Sequence, residues 1–525
     1  VPMPNTEVKH LNAESSWGLP PVRIGRCQAS EGPICILQVG LFVVWIKKGL
    51  ENMEGRMPII EALVAHVERK ATSWHVPGHK NGTLVEGLPS FFEWDKTELR
   101  GLDDFHHPEE AIYEAKLLLR RIYGASDSHF LINGSTVGNW AMLAAVSQRG
   151  DRIYVQRNSH KSVFNAMEWL GLSPILLEPE RDPVTGISGN VSRETLKESL
   201  TVFPGGTAVF LTSPTYYGET ARIEELVRIT KSSNIPLLID EAHGAHFGEA
   251  FGVRSAFELG ATAVVQSAHK TLPALTMGAW IHERFTEDER RRLMRALQAF
   301  QTSSPSYLLM ASLDFARDYR ERWTVSYMKS VRTSHEFLHQ QINQRTGMAA
   351  FTFDDWSRMV LSCEPYSGSQ LLEALADQGL DAEFALGAHV VCILPLRIIE
   401  PFERDAWIHQ IQLTVEFLKA EGIPDKRYME QPIMGKIKVS SLSYPLDQLD
   451  YAQAVEQTFE KAVGLVSLET IIPYPPGIPL LLRGERITAE HIKMIEYYTN
   501  TSIHLQGGEF LQQGKLRVIQ EGIIE

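Results

Sequence analysis

The segment Ser267-Ala268-His269-Lys270 follows an apolar run, Ala263-Val264-Val265-Gln266, and sets a hydroxyl, an imidazole and an amine at its end. A short β-branched run that breaks into polar side chains reads as a buried strand with its chemistry at the carboxyl end. Desolvation beside such a strand weakens a lysine's preference for its charged form, which leaves an amine able to attack an aldehyde. That is the chemistry of a Schiff base with pyridoxal phosphate. A strand-end lysine on its own also fits a solvated surface position, so the reading of Lys270 depends on partners elsewhere.

Asp240 is the first such partner. It closes the apolar run Leu237-Leu238-Ile239 and opens Glu241-Ala242-His243-Gly244. A carboxylate at the end of a buried strand is costly unless it meets a cation or a strong donor. A protonated pyridine nitrogen is one such partner, and the ion pair keeps the ring able to accept electrons. Capping a helix or holding a structural arginine is the other reading of Asp240.

These side chains need a scaffold, and the sequence repeats one. Phe130-Leu131-Ile132 reads as a strand, followed by Asn133-Gly134-Ser135-Thr136-Val137-Gly138-Asn139 and a helical run from Trp140 to Val146. A strand, a glycine turn, two hydroxyls and a helix start make a phosphate cradle, because the first amides of a helix are unpaired donors. Ser135 and Thr136 also fit plain helix caps. Residues 151–155 form the next strand, and His160 follows it, where an imidazole can stack on a flat aromatic ligand or serve as an ordinary loop residue. Further strands are expected at 174–177, 208–212 and 236–239, with a helix at 223–231 between the last two. This β-α alternation means a mostly parallel, doubly wound sheet. The apolar stretch 275–281 is expected to return to the core, followed by a charged helix over 283–300 and one long linking helix over 317–344. Strands within 352–361 and at 389–394, with a helix over 405–421, point to a smaller C-terminal α/β domain. Domain limits at 1–56, 57–345 and 346–525 follow, the first being an extension that lacks the later pattern.

Composition bounds the rest. The 525 residues are 44% hydrophobic and 22% charged, ordinary for a globular enzyme. The net charge of −13 argues against a nucleic-acid binder and suits a cationic small molecule. Cys27, Cys35, Cys363 and Cys392 form no paired spacing, which makes a reducing cytoplasm and no structural metal the expectation. His75 and His79 flank Pro77-Gly78, and with no carboxylate at ligand spacing they read as a turn rather than a metal pair. The apolar run Ile34 to Ile46 is 13 residues long, short of the about 20 that a spanning helix needs.

Together these blocks resemble the Orn/Lys/Arg decarboxylase family of pyridoxal-phosphate enzymes, which have the aspartate aminotransferase fold. The resemblance runs from about Met57 to the C-terminus. HVPGHKNG, TELRGLDDFHHP, NGSTVGN, RNSHKS, SPTYYG, DEAHGAHFG, SAHKTLPALTMG, SSPSY and YPPGIP all look like that family's blocks, in its order. The resemblance implies that Lys270 is the Schiff-base lysine, Asp240 the partner of the pyridine nitrogen and His160 the residue stacked on the ring. It puts His243 beside the cofactor's phenolic side, and Gly134, Ser135, Thr136, Ser267 and His269 around its phosphate. It also implies decarboxylation of a basic amino acid in a homodimer, with Ser303 to Tyr307 serving a neighbouring subunit and Glu485 meeting the substrate's distal cation. The long inducible members carry a receiver-like wing domain that residues 1–56 do not resemble. The compact biosynthetic type is the nearer match, which implies polyamine biosynthesis and arginine as substrate, with lysine and ornithine as alternatives. An aminotransferase or desulfurase on the same fold would use the same Lys270 and Asp240, and a degenerate paralogue would be a binding subunit.

Overall fold

The computed structural model describes residues 55–183, 185–424, 438–474, 477–500 and 504–519. The N-terminal extension, apart from its last two residues, lies outside that set, as do Cys27, Cys35 and the prolines Pro475 and Pro476 of the YPPGIP block. By contacts the chain divides into residues 1–53 with 89–91, of which only 89–91 are described, and residues 54–88 with 92–525, which carry the sheets and the side chains of the candidate site.

Seven strands build the large sheet: β1 (Asp127–Leu131), β2 (Arg152–Gln156), β3 (Ser173–Leu177), β4 (Ala208–Thr212), β5 (Leu237–Asp240), β6 (Ala263–Gln266) and β7 (Ala279–Glu283). Their order is β1-β7-β6-β5-β4-β2-β3, and a short strand, Val439–Ser441, pairs antiparallel with β3 at the edge. The five strands from β6 to β3 run parallel, and β7 is antiparallel to both β6 and β1. Strands buried on both faces read as continuous apolar runs, and β4, β5 and β6 are buried at every position. Phe210, Leu238 and Val265 pack there against Ala141, Met142 and Leu143 of the helix Gly134–Val146.

The register aligns the strand ends. Thr212 lies opposite Asp240, and Asp240 opposite Val265, so the carboxyl ends of β4, β5 and β6 stand level along one edge. Gly138 lets the helix behind them come close, since a Cβ there would sit 2.3 Å from a Val265 methyl.

Three expectations change. The stretch 275–281 is not uniformly core: Leu275 and Met277 are exposed, and β7 starts only at Ala279. The charged helix starts at Glu287, because Thr286 caps it with Glu289 in a capping box, and Glu283 ends β7 instead. The long linking helix is two helices, Tyr307–Glu321 and Val325–Arg345, broken where Thr324 turns its hydroxyl to accept from Tyr327 N.

Beyond residue 346 the chain builds two smaller cores and also returns to the large one through Val439–Ser441, Leu446 and Leu482. A four-stranded antiparallel sheet, ordered β10-β11-β9-β8, comprises β8 (Ala349–Phe351), β9 (Arg358–Ser362), β10 (Phe384–Leu386) and β11 (His389–Ile393). It packs on the helices Gly368–Asp377 and Pro401–Glu421 around Leu361, Leu371 and Ile408. A second core, around Ile471, Leu481, Ile495 and Leu516, holds the last part of the chain. Among the described residues no helix is long and apolar enough to cross a membrane.

Candidate active site

The one-turn helix Ala268–Thr271 follows β6 directly and carries Lys270 to the sheet's carboxyl edge. Its Nζ lies 3.0 Å from His243 Nε2, and 6.0 Å from the centre of the Tyr216 ring. Burial pushes the Lys270 amine below the ordinary lysine range, and the nearby Arg358 acts in the same direction, whereas Asp240 and Glu383 oppose them.

Asp240 is 2% exposed at the end of β5. Its Oδ2 accepts from Asn139 Nδ2 at 2.9 Å and its Oδ1 from Ala242 N at 3.1 Å. Burial raises its carboxyl above the usual range, and Lys270 pulls it back. Asn139 also reaches Ser162 Oγ at 3.0 Å, and Ser162 Oγ lies 2.9 Å from His160 Nδ1, which links His160 to Asp240 through two side chains. His160 caps the helix Lys161–Leu170 by accepting from Ser162 N. Burial, with Lys270 and Lys161 nearby, lowers its imidazole to about 4, so the ring is neutral near pH 7. Adjacent Glu241 serves the fold instead: its carboxylate accepts from Ser255 Oγ, Ala256 N and Gln266 Nε2.

The glycine turn behaves as a cradle. Gly134 takes φ 78°, a conformation that favours glycine, and the helix it opens has no side-chain cap, because Asn133 Oδ1 accepts from Thr302 N. Ser267 Oγ donates to Ser135 Oγ at 2.9 Å, which joins the two segments expected around a phosphate. Thr136 is exposed on the same first turn. His269 lies one residue from Lys270 and spends Nδ1 on Gly278 O at 2.9 Å. Uncapped helix amides and two hydroxyls suit a phosphate, and a buried carboxylate level with a desolvated amine suits the two ends of a pyridoxal ring. The residues present therefore fit pyridoxal phosphate.

Glu485 is placed differently from the rest. Arg157 Nη2 donates to it at 3.0 Å, with further bonds from Arg157 to Pro479 O and Leu480 O, and Leu482 N donates to its Oε2. Elsewhere, Asp127, His129 and Glu283 group as a metal site could, but Arg290 holds Glu283 and Lys116 approaches Asp127, so the chain's own cations meet that charge.

Arg358 carries no distinguishing signal in the sequence. It starts β9, is 0% exposed, and donates through Nη2 to His243 Nδ1 at 2.7 Å. Its Nε stands 3.3 Å from Asp355 Oδ2, and its Nη1 is buried with no hydrogen-bond partner among the described residues. Asp355 in turn meets His246 Nε2 at 3.2 Å. The pair Asp355 and Arg358 looks like an ordinary loop-to-strand entry in the sequence, and only their spacing of three could have drawn attention.

Beside this cluster opens a cavity of about 540 Å³ that shares Tyr216 with it and is also lined by Glu178, Tyr217 and Tyr498. Burial raises the Glu178 carboxyl.

The profile described as Orn/Lys/Arg decarboxylase, major domain, matches residues 57–440, and that described as Orn/Lys/Arg decarboxylase, C-terminal domain, matches 450–505. The chain is 38% identical over 480 residues to the "Uncharacterized protein YaaO" of Bacillus subtilis (strain 168), covering 88% of this chain and 98% of that one. It is 30% identical over 488 residues to the arginine decarboxylase of Bacillus anthracis, covering 88% and 97%. Among solved structures, the E. coli constitutive lysine decarboxylase superposes with a TM-score of 0.71 at 17% identity, covering 93% of this chain and 85% of that one.

Proposed function

The chain belongs to the Orn/Lys/Arg decarboxylase family, and from that premise we propose that it converts arginine to agmatine in polyamine biosynthesis. It is a pyridoxal-phosphate-dependent amino-acid decarboxylase. When bound, pyridoxal phosphate supplies an aldehyde for an amine and a ring that accepts the electron pair left as carbon dioxide departs. The observation that carries the reading is the level placement of Asp240 and the Lys270 segment on adjoining strands, with His243 3.0 Å from the Lys270 amine.

Each side chain has a task in this reading. Lys270 would hold the cofactor through its amine, and the same amine is the group placed to deliver a proton to the substrate's α-carbon. Asp240 holds the proton on the ring nitrogen, and Asn139 with Ala242 N–H keeps the carboxylate aimed. His160 would meet the ring's face as a neutral imidazole. Gly134, Ser135, Thr136, Ser267 and His269 hold the phosphate, and His243 faces the reacting amine. Stabilising charge that exists only near the transition state is what accelerates the step.

Arginine is favoured by Glu178. Its carboxylate lines the cavity beside Tyr216 and has no hydrogen bond or ion pair among the described residues, though Arg157 and Arg181 in the same lining also act on it, whereas Glu485 is engaged by Arg157. Glu178 follows β3, four strand spacings from β6, or about 19 Å of backbone separation. Two long side chains from the ends and a substrate of arginine's length between them bridge that span. A planar guanidinium meets a carboxylate through two parallel bonds and stacks on tyrosine faces. Replacing Glu178→Gln should raise KM for arginine by about 10- to 100-fold, the worth of one charge-assisted hydrogen bond, with kcat changed far less. Steady-state assays check this, and a KM within two-fold of the parent's would remove Glu178 from the substrate site.

A homodimer in the cytoplasm is the proposed setting. It is supported by apolar side chains left exposed in one loop, Trp74, Val76, Leu84 and Val85, and by exposed Leu275 and Met277 next to the lysine segment; sedimentation as a monomer at micromolar concentration would count against it. The function is tested by incubating the protein with arginine, lysine and ornithine, each labelled at the carboxylate. Labelled carbon dioxide and agmatine from arginine, in preference to cadaverine or putrescine from the others, is the expected result. A keto acid without carbon dioxide would instead indicate transamination.

A further inference from the structure

A guanidinium carries donors and no acceptor, so the 2.7 Å contact from Arg358 Nη2 makes His243 Nδ1 an acceptor. A neutral imidazole then carries its single proton on Nε2. That nitrogen lies 3.0 Å from Lys270 Nζ. An ammonium has no lone pair, and would set N–H against N–H across this contact. The contact becomes a hydrogen bond only when Nε2–H donates to a neutral Lys270 amine.

We propose that Arg358 is a positioning residue: by donating to His243 Nδ1 it fixes the Nε2–H tautomer, and that N–H holds Lys270 as the free amine. The inference rests on reading Lys270 as the lysine that takes the cofactor. In that condensation the amine nitrogen bonds the aldehyde carbon, and the aldehyde oxygen leaves as water with the amine's two protons, so an amine that is already neutral needs no base. The surrounding charges divide in a consistent way. Arg358 disfavours the ammonium, Asp240 and Glu383 favour it, and Tyr216 contributes its ring face. His160 and His246, with Lys270 and Arg358, act against a charge on His243, and burial acts most strongly of all. Arg358 itself is anchored by Asp355, which His246 also holds, so the donor direction is fixed by groups outside the cofactor site.

The test reads the amine directly. The full chain, freed of cofactor with hydroxylamine, is acetylated competitively with acetic anhydride across pH, and labelling at Lys270 is measured by peptide mass spectrometry. The parent protein should show a Lys270 midpoint clearly below the ordinary lysine value of about 10.4. Arg358→Met should raise that midpoint by about one unit or more and slow pyridoxal phosphate capture at pH 7 by about ten-fold, the factor that one unit represents. Arg358→Lys, which keeps a donor and a charge, should restore most of both. If Arg358→Met does not fold, the double variant Asp355→Asn/Arg358→Met removes both buried charges together and should show the same rise. A parent midpoint in the ordinary lysine range, or an unchanged midpoint in either Met variant, overturns the proposal. Because acetylation needs no cofactor, a lowered Lys270 midpoint in a protein that fails to capture pyridoxal phosphate would leave this proposal standing and defeat the assignment of Lys270 to the cofactor.

Discussion

Lys270→Ala should lose both the visible absorbance of the bound cofactor and all measurable turnover, a fall of about four orders of magnitude or more in kcat. No other side chain in the cluster can replace it. The groups around its Nζ include an imidazole, a phenol ring and a carboxylate, none of them an amine, and a guanidinium such as that of Arg358 is too basic to take its place. The fold should survive the change. The removed group is an amine that burial already disfavours as a cation, and the one-turn helix keeps its bonds from Leu272 N to Ala268 O and from Lys270 N to Ser267 O. A folded protein with a modestly lower melting temperature, from the His243 Nε2–H left without its acceptor, and with no amine product is the expected combination. The phosphate cradle remains, so cofactor should still bind weakly without a covalent link, detectable by fluorescence titration. Turnover within a hundred-fold of the parent's would show that another residue does the chemistry.

Asp240→Ala is expected to separate binding from catalysis. Cofactor should still be captured by Lys270, with weaker affinity, while decarboxylation slows by about a thousand-fold or more, because the ring nitrogen loses the carboxylate that keeps it protonated. The substitution also strips partners from Asn139 Nδ2 and Ala242 N, each otherwise bonded near 3 Å. A buried donor left unpaired costs about 1–3 kcal/mol, so some loss of stability is expected alongside the kinetic effect. Asp240→Asn separates the two, since it preserves shape while removing the charge, and it should be slow as well. Single-turnover absorbance changes set against steady-state product formation check this, and a rate within ten-fold of the parent's would exclude Asp240 from electron withdrawal.

How far the sequence alone reaches is visible in these same residues. Lys270 and His160 follow, and Asp240 ends, strands whose apolar runs stop abruptly, and because β2, β4, β5 and β6 are parallel neighbours, that local signal suffices to bring their ends to one edge. The cradle at Gly134 is legible for the same reason: strand, turn and helix are consecutive. Arg358 and Asp355 are not, since they reach His243 and His246 from more than 100 residues away, at the entry to a strand whose position depends on how a second sheet packs. Glu178 is also inconspicuous at its strand end, because an acid there gives no sign of lining a cavity until its neighbours are placed. Glu485 illustrates the opposite failure. The motif names an acid, but Arg157, 328 positions earlier, takes it up. The break at Thr324 escapes notice because a single hydroxyl cap is a weak signal inside a helical pattern.

Every role assigned to the cluster depends on the amine of Lys270 taking the cofactor's aldehyde. Reducing the loaded protein with borohydride fixes any such bond permanently, and peptide mass spectrometry then locates the pyridoxyl group. One modification per chain is expected, on the peptide that carries Ser267 to Lys270. A pyridoxyl group on a different lysine, or none on a protein that still decarboxylates, would refute the assignment.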